Sequence, residues 1–203
     1  MDNNLNPYSL EFDPEGQSLG DRIKNNLVEL IEFIAIIGAI LVVVRFFVAE
    51  PHKVSGSSMV PNFHDGDYII TNKVATQISQ PQRGEVIILK NPRNMDQVFI
   101  KRVIGLPGDR VMVSGGKVYI NGQPTAELYL PKGTRTYGGA SLSEGEELTV
   151  PQGRYFIMGD NRGGSSDSRE WGTIGKDLVV GQAWLRYWPP QQFTLIQVDK
   201  PSS

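Results

Sequence analysis

Apolar positions follow two regimes along the chain. Residues 31–49 are almost all Ile, Val, Leu, Phe, Ala and Gly, interrupted only by Glu32 near one end and Arg45 near the other. A bilayer core about 30 Å thick needs about 20 helical residues, and charges near the ends of such a helix reach the headgroups. A buried core helix seldom keeps aliphatic side chains on every face for about five turns. The pattern therefore predicts one transmembrane helix, with the anchor over residues 28–50. Beyond it the period changes to short runs of β-branched and aromatic residues, at 68–71, 85–89, 97–104, 154–158, 183–187 and 193–197, separated by Gly, Pro, Asn and Asp. The runs 110–114 and 117–121 flank Gly115-Gly116, a pair suited to the positive φ of a primed hairpin turn. Residues 128–148 carry sparse apolar positions and read as a loop-rich excursion. No long helical period follows the anchor, so the predicted fold is mainly β: a folded antiparallel sheet or partly open barrel behind one N-terminal transmembrane helix.

The flanks of the apolar run suggest a topology. A removable leader is disfavoured, because about thirty mostly polar residues precede the run and no small-residue cleavage pattern follows it. Arg22 and Lys24 lie just before it, and nearby acidic residues count for little in orientation. The expected arrangement is a cytoplasmic tail over 1–27, its first twenty residues disordered, then the anchor, then an extracytoplasmic domain over 51–203. That places the chain in a cell (inner or plasma) membrane, or in another energy-transducing membrane such as the thylakoid. Composition narrows the chemistry further. Among 203 residues the net charge is −2 with no basic cluster, which argues against a nucleic-acid partner. There is no cysteine, so disulfides, thiolate metal sites and a Cys nucleophile are excluded.

A Ser/His/Asp triad would have to use His52, at the end of the anchor, or His64, in a polar turn, and both read better as surface or interfacial histidines. No His/Asp/Glu spacing suggests a metal, and no cofactor motif is present. Two segments break local rules. Ser55-Gly56-Ser57-Ser58-Met59-Val60-Pro61 is a small, flexible turn able to expose a hydroxyl and backbone amides. In Ile100-Lys101-Arg102-Val103-Ile104-Gly105-Leu106-Pro107-Gly108-Asp109, strand alternation puts Lys101 on one face with Phe99 and Val103. If that face is buried, desolvation lowers the lysine pKa toward the range of a general base. Alone, each segment reads as an ordinary loop or a solvated lysine.

Together with Gly159-Asp160-Asn161-Arg162 and Ser165-Ser166-Asp167-Ser168-Arg169, these segments resemble type I signal peptidases of the bacterial and organellar kind, from about residue 28 to residue 189. The resemblance implies a membrane-bound serine endopeptidase with a Ser/Lys dyad, in which Ser58 is the nucleophile and Lys101 the general base. It implies that Ser165 hydrogen-bonds Lys101, that Asp160 pairs with Arg102, and that Asp167 pairs with Arg169. The implied partners are signal-peptide-bearing preproteins, cut after a small-x-small sequence, and the lipid bilayer; no metal or cofactor is implied. The chain departs from the pattern at Gly56, where some members have an oxyanion-stabilising serine, at Asn62, which replaces a common threonine, and at Gly163-Gly164, which replace an Asp-Asn pair. A soluble self-cleaving Ser/Lys repressor would lack the anchor, and a non-cutting tethered β module would have no need of both Ser58 and Lys101.

Overall fold

The computed structural model describes residues 19–199; the first eighteen residues, where most of the polar tail was expected, lie outside the described residues. Two units are distinguished, residues 1–43 and residues 44–203. In the first, helix α1 (Leu19–Val43) starts well before residue 28, so the helix includes part of the expected tail. Its large aliphatic side chains, such as Ile34, Leu41 and Val43, are exposed all round, and none of the apolar stretch is buried inside the protein.

The second unit opens with a π-helical turn, Val44–Val48, and then strand β1 (Ala49–Lys53), so Ala49 and Glu50 belong to the sheet and not to the helix. The sequence pattern missed β1 because Glu-Pro-His-Lys has little strand character. Pro51 is tolerated there because β1 is an edge strand, paired on one side with β2 (Tyr68–Asn72). A short helix α2 (Lys73–Ile78), capped by the Asn72 side chain on the Ala75 amide, was also not foreseen. Then follow β3 (Val86–Asn91), the long β4 (Asn94–Gly105), and the hairpin β5 (Arg110–Ser114) with β6 (Lys117–Ile120). That hairpin turns at Gly115 and Gly116 with φ of 60° and 83°, the conformation expected of the glycine pair. The remaining elements are β7 (Gln123–Pro124), β8 (Glu147–Thr149), β9 (Arg154–Met158), α3 (Ser168–Trp171), β10 (Ile174–Gly175), β11 (Val179–Trp188) and β12 (Thr194–Leu195). The expected strand at 193–197 is reduced to β12.

Among the described residues the strands form two antiparallel sheets. One has the order β1-β2-β11-β3-β4-β9-β10, with β12 on β11; the other is β7-β6-β5-β8. The central strand β3 is apolar on both faces: Val86 and Ile88 join Val54, Met59, Phe63, Ile69 and Ile100, whereas Ile87 and Leu89 join Val103, Tyr155, Ile157 and Ile174. A third cluster, of Ile104, Val111, Val113, Phe156 and neighbours, seals the hairpin sheet against the end of β4. Gly105 is required at that junction, since a Cβ there would press into Val111 and Phe156. The mainly antiparallel β class read from the sequence agrees with this architecture.

Candidate active site

Strand β4 carries Lys101 between two apolar layers. Phe99 and Val103 pack in the same cluster, as two-residue alternation requires, and Lys101 is 3% exposed with its Nζ 5.3 Å from the Phe99 ring centroid. Burial lowers its pKa from 10.5 to about 8; Asp167 and Asp160 push it back up in part, and Arg169 adds a small push down. Ser58 comes from the turn between β1 and β2. Met59 beside it is buried, which anchors the turn in the core and leaves the serine at its rim. Lys101 Nζ donates to Ser58 Oγ at 2.7 Å, bringing together residues 43 positions apart.

The serine turn is held from two sides. The Asn161 amide donates to the Ser58 carbonyl at 3.0 Å, and Asn161 Nδ2 donates to the Ser57 carbonyl at 3.1 Å. Gly56 adopts φ +88°, and its amide donates to Asp65 Oδ1 at 2.9 Å. That amide is therefore already engaged, and Gly56 supplies no side-chain donor toward an oxyanion.

Behind Lys101 lie two bidentate ion pairs. Arg102 donates from Nε and Nη2 to Asp160 at 2.9 and 2.8 Å, both side chains being almost fully buried. Arg169 donates from Nε and Nη2 to the Asp167 carboxylate, each at 2.8 Å. Asp167 also N-caps α3 by accepting from the Arg169 amide, and it accepts the Gly159 amide at 3.0 Å, so one carboxylate ties the β9 end to α3. Breaking such a buried pair by removing one partner typically costs about 3–5 kcal/mol, because the remaining charge stays buried.

Ser165 departs from expectation. It lies against Gly159 and the Ser58 carbonyl, but its buried Oγ has no hydrogen-bond partner among the described residues, and the expected bond to Lys101 is not formed. The hydrogen bond that Lys101 makes goes to Ser58. Asn62, flagged only as a departure, bridges two elements, donating to Asp160 Oδ2 at 2.8 Å and to the Tyr129 carbonyl at 2.9 Å.

Several participants were not read from the sequence. Arg162, the last residue of the Gly159-Asp160-Asn161-Arg162 motif, is buried; it donates to the Gly159 carbonyl, to Thr136 and to the Glu127 carboxylate. Tyr129 lies under Arg102, with its ring centroid 3.9 Å from the guanidinium carbon. Tyr129 comes from the loop-rich excursion and Glu127 from the residue just before it, where no local period marks them; the motif arginine Arg162 is the one signal the sequence offers. Ser58 opens onto a cleft of about 520 Å³ lined by β1 and the residues after it, including His52, Val54 and Ser55, and by Val98, Phe99 and Ile100 of β4. His52, dismissed as a base, is on the wall of this cleft, and its pKa is lowered, chiefly by burial.

Comparison with known proteins follows the same residues. The family model described as "Signal peptidase, peptidase S26" matches residues 27–188. A probable signal peptidase I-2 of Synechocystis sp. is 36% identical over 162 residues, 77% of this chain and 71% of that protein. Signal peptidase I T of Bacillus subtilis is 37% identical over 169 residues, covering 81% of this chain and 87% of the relative. Among solved structures, a signal peptidase I from Enterococcus faecalis aligns at 33% identity with a TM-score of 0.41, over 51% of this chain and 97% of that one.

Proposed function

Because the chain belongs to the signal peptidase family of peptidase S26, whose members are serine peptidases that cleave signal peptides, we propose that Ser58 is its nucleophile and Lys101 its general base. The observation that carries this reading is the 2.7 Å contact between Lys101 Nζ and Ser58 Oγ, made by a lysine whose burial brings its pKa to about 8. A lysine in water would be almost wholly protonated at neutral pH; this one releases its proton close to it.

The reaction proceeds in two halves. Neutral Lys101 takes the Ser58 proton as the oxygen attacks the carbonyl carbon after a small-x-small sequence. The resulting ammonium then protonates the departing amine, and an acyl-enzyme remains. Water, deprotonated by the same lysine, hydrolyses the ester and restores Ser58. Asp160 with Arg102 and Asp167 with Arg169 hold the lysine's surroundings rigid and neutralise their own charges pairwise. Ser165 serves as an orienting acceptor once Lys101 turns from Ser58 during turnover; its unpaired Oγ supports that role.

Two strand edges support an extended substrate. β1 has no described partner on its outer side, and β4 pairs with β9 only from Arg102 onward. Both stretches line the cleft beside Ser58, where a precursor can add as a strand and seat small side chains on Val54 and Ile100. The all-round apolar surface of α1 supports a bilayer anchor that ends by Val43, short of the expected residue 50, and Arg22 and Lys24 at its start favour a cytoplasmic tail with the domain after the helix extracytoplasmic.

The test is cleavage of a purified precursor by folded Lys101→Arg and Ser58→Ala variants. Arginine keeps the charge but does not deprotonate in a protein, so both variants should be inactive. Substantial cleavage by Lys101→Arg would leave Ser58 without its base and overturn the dyad.

A further inference from the structure

The family match ends at residue 188, but the chain beyond it returns to the site. After a 3-10 turn at Pro190–Gln192, β12 pairs with β11 through Leu185↔Leu195 and Arg186↔Thr194, and the Ile196 amide donates to the Trp184 carbonyl at 2.9 Å. Ile196 packs on the cluster that contains Met59 and Phe63, directly behind the serine turn. Three residues later, Asp199 Oδ2 accepts from Arg102 Nη1 at 2.7 Å.

Arg102 is thereby enclosed on every side. Nε and Nη2 go to Asp160, Nη1 goes to the Gly84 carbonyl and to Asp199, and the face lies on Tyr129. Burial pulls the guanidinium pKa down, but the hydrogen bond and charge of Asp160, then Tyr129 and Asp199, raise it by more. The two carboxylates differ in setting. The Asp160 side chain is 0% exposed, whereas that of Asp199 is 47% exposed, so Asp160 holds the fold together and Asp199 is removable without leaving a cavity.

We propose that Asp199 is a positioning residue for the Ser58–Lys101 chemistry, closing the open side of Arg102 and giving the Arg102–Asp160 group beside Lys101 a net negative charge. The role rests on the reading of Lys101 as the base. With Asp199 in place, one guanidinium faces two carboxylates; without it, the group is neutral. Lys101 is otherwise faced by Ser58, Asp167, Asp160 and Arg169. Asp199 shares its own cleft with Arg186, which is paired with Asp67 at 3.2 Å, and with the uncharged Asn62. Removing one negative charge disfavours the protonated amine, so the base is released at lower pH. Because Asp199 acts from beyond Arg102 and is partly screened by solvent, the shift is about half a pH unit.

The experiment is the pH dependence of precursor cleavage by the full chain in detergent, for the wild type, Asp199→Asn, Asp199→Glu and Ile196→Asn. Asp199→Asn should move the acid limb about half a unit toward lower pH, and Asp199→Glu should return it. Ile196→Asn, which releases the segment from Met59 and Phe63 without adding a charge, should reproduce the shift, with no further change when combined with Asp199→Asn. A wild-type limb that Asp199→Asn leaves in place, or a loss of rate equal at all pH values, overturns the inference and leaves the dyad standing. A wild type with no acid limb at all, or a Lys101→Arg variant that keeps one, overturns the dyad itself and the role of Asp199 with it.

Discussion

Lys101→Met should make the domain more stable and leave it unable to cleave. The pKa of Lys101 falls from 10.5 to about 8 on folding, and each unit is about 1.4 kcal/mol, so holding the cation in its apolar setting costs the folded state about 3 kcal/mol at neutral pH. The sign follows from proton counts. Below pH 8 both states carry the proton, and the whole penalty is present. Between pH 8 and 10.5 the unfolded chain retains a proton that the folded chain has lost, so wild-type stability gains from this residue as pH rises. Above 10.5 neither state is charged, and the penalty is gone. Methionine has a similar length and no charge to desolvate, and it keeps contact with the Phe99 ring while losing the Ser58 hydrogen bond, worth about 1 kcal/mol. Denaturant unfolding of both proteins in detergent should therefore show the variant ahead by about 2 kcal/mol at pH 7, with the gap closing toward pH 10. The companion measurement is the wild-type rate against pH. A base of pKa about 8 is about one-tenth neutral at pH 7, roughly 300-fold more than an unperturbed lysine, so the rate should climb about tenfold per unit below pH 7 and level off above 8. A less stable variant, a stability gap independent of pH, or a rate still climbing steeply at pH 9.5 would each refute the depressed lysine.

Other consequences are equally direct. Asp160→Ala leaves the buried Arg102 with the half-exposed Asp199 as its one carboxylate among the described residues, and should lower stability by about 3–5 kcal/mol together with activity; an unchanged melting temperature would show the pair to be energetically idle. Gly159→Ala should abolish cleavage, because the new Cβ meets the Ser58 carbonyl and the Ser165 side chain, and backbone there has no room to yield. Circular dichroism establishes that the variant is folded, and normal turnover would contradict the packing. For topology, protease added outside intact membranes should digest the domain after Glu50 and spare a tag at Met1; the reverse pattern would invert the orientation.

Local sequence carried a large share of this structure because several of its features depend on neighbours in the chain. The hairpin at Gly115-Gly116, the apolar α1 and the alternation that puts Phe99 and Val103 on one face follow from side-chain period and from glycine's freedom at positive φ, properties of a few consecutive residues. The same motifs marked Ser58, Lys101, Arg102, Asp160, Asp167 and Arg169 as a set through resemblance, before any distance was known. What escaped were elements whose stability comes from elsewhere. β1, with Glu-Pro-His-Lys, is a strand only because β2 pairs with it residue for residue, and the Glu127, Tyr129 and Thr136 loop is ordered by the buried Arg162.

Sequence alone determined the class of fold and the family and marked the side chains proposed to react, since period, turn chemistry and motif order are written in the chain itself. Tertiary structure alone decided the quantities on which the proposed chemistry depends. The protonation of Lys101 depends on burial between layers drawn from β3, β4 and β9, and its direction depends on whether Ser58 or Ser165 receives its hydrogen bond. The environment of Arg102 depends on Asp160 and Asp199, 58 and 97 residues away along the chain. Desolvation and Coulomb energies are functions of distance in space, which no local pattern encodes.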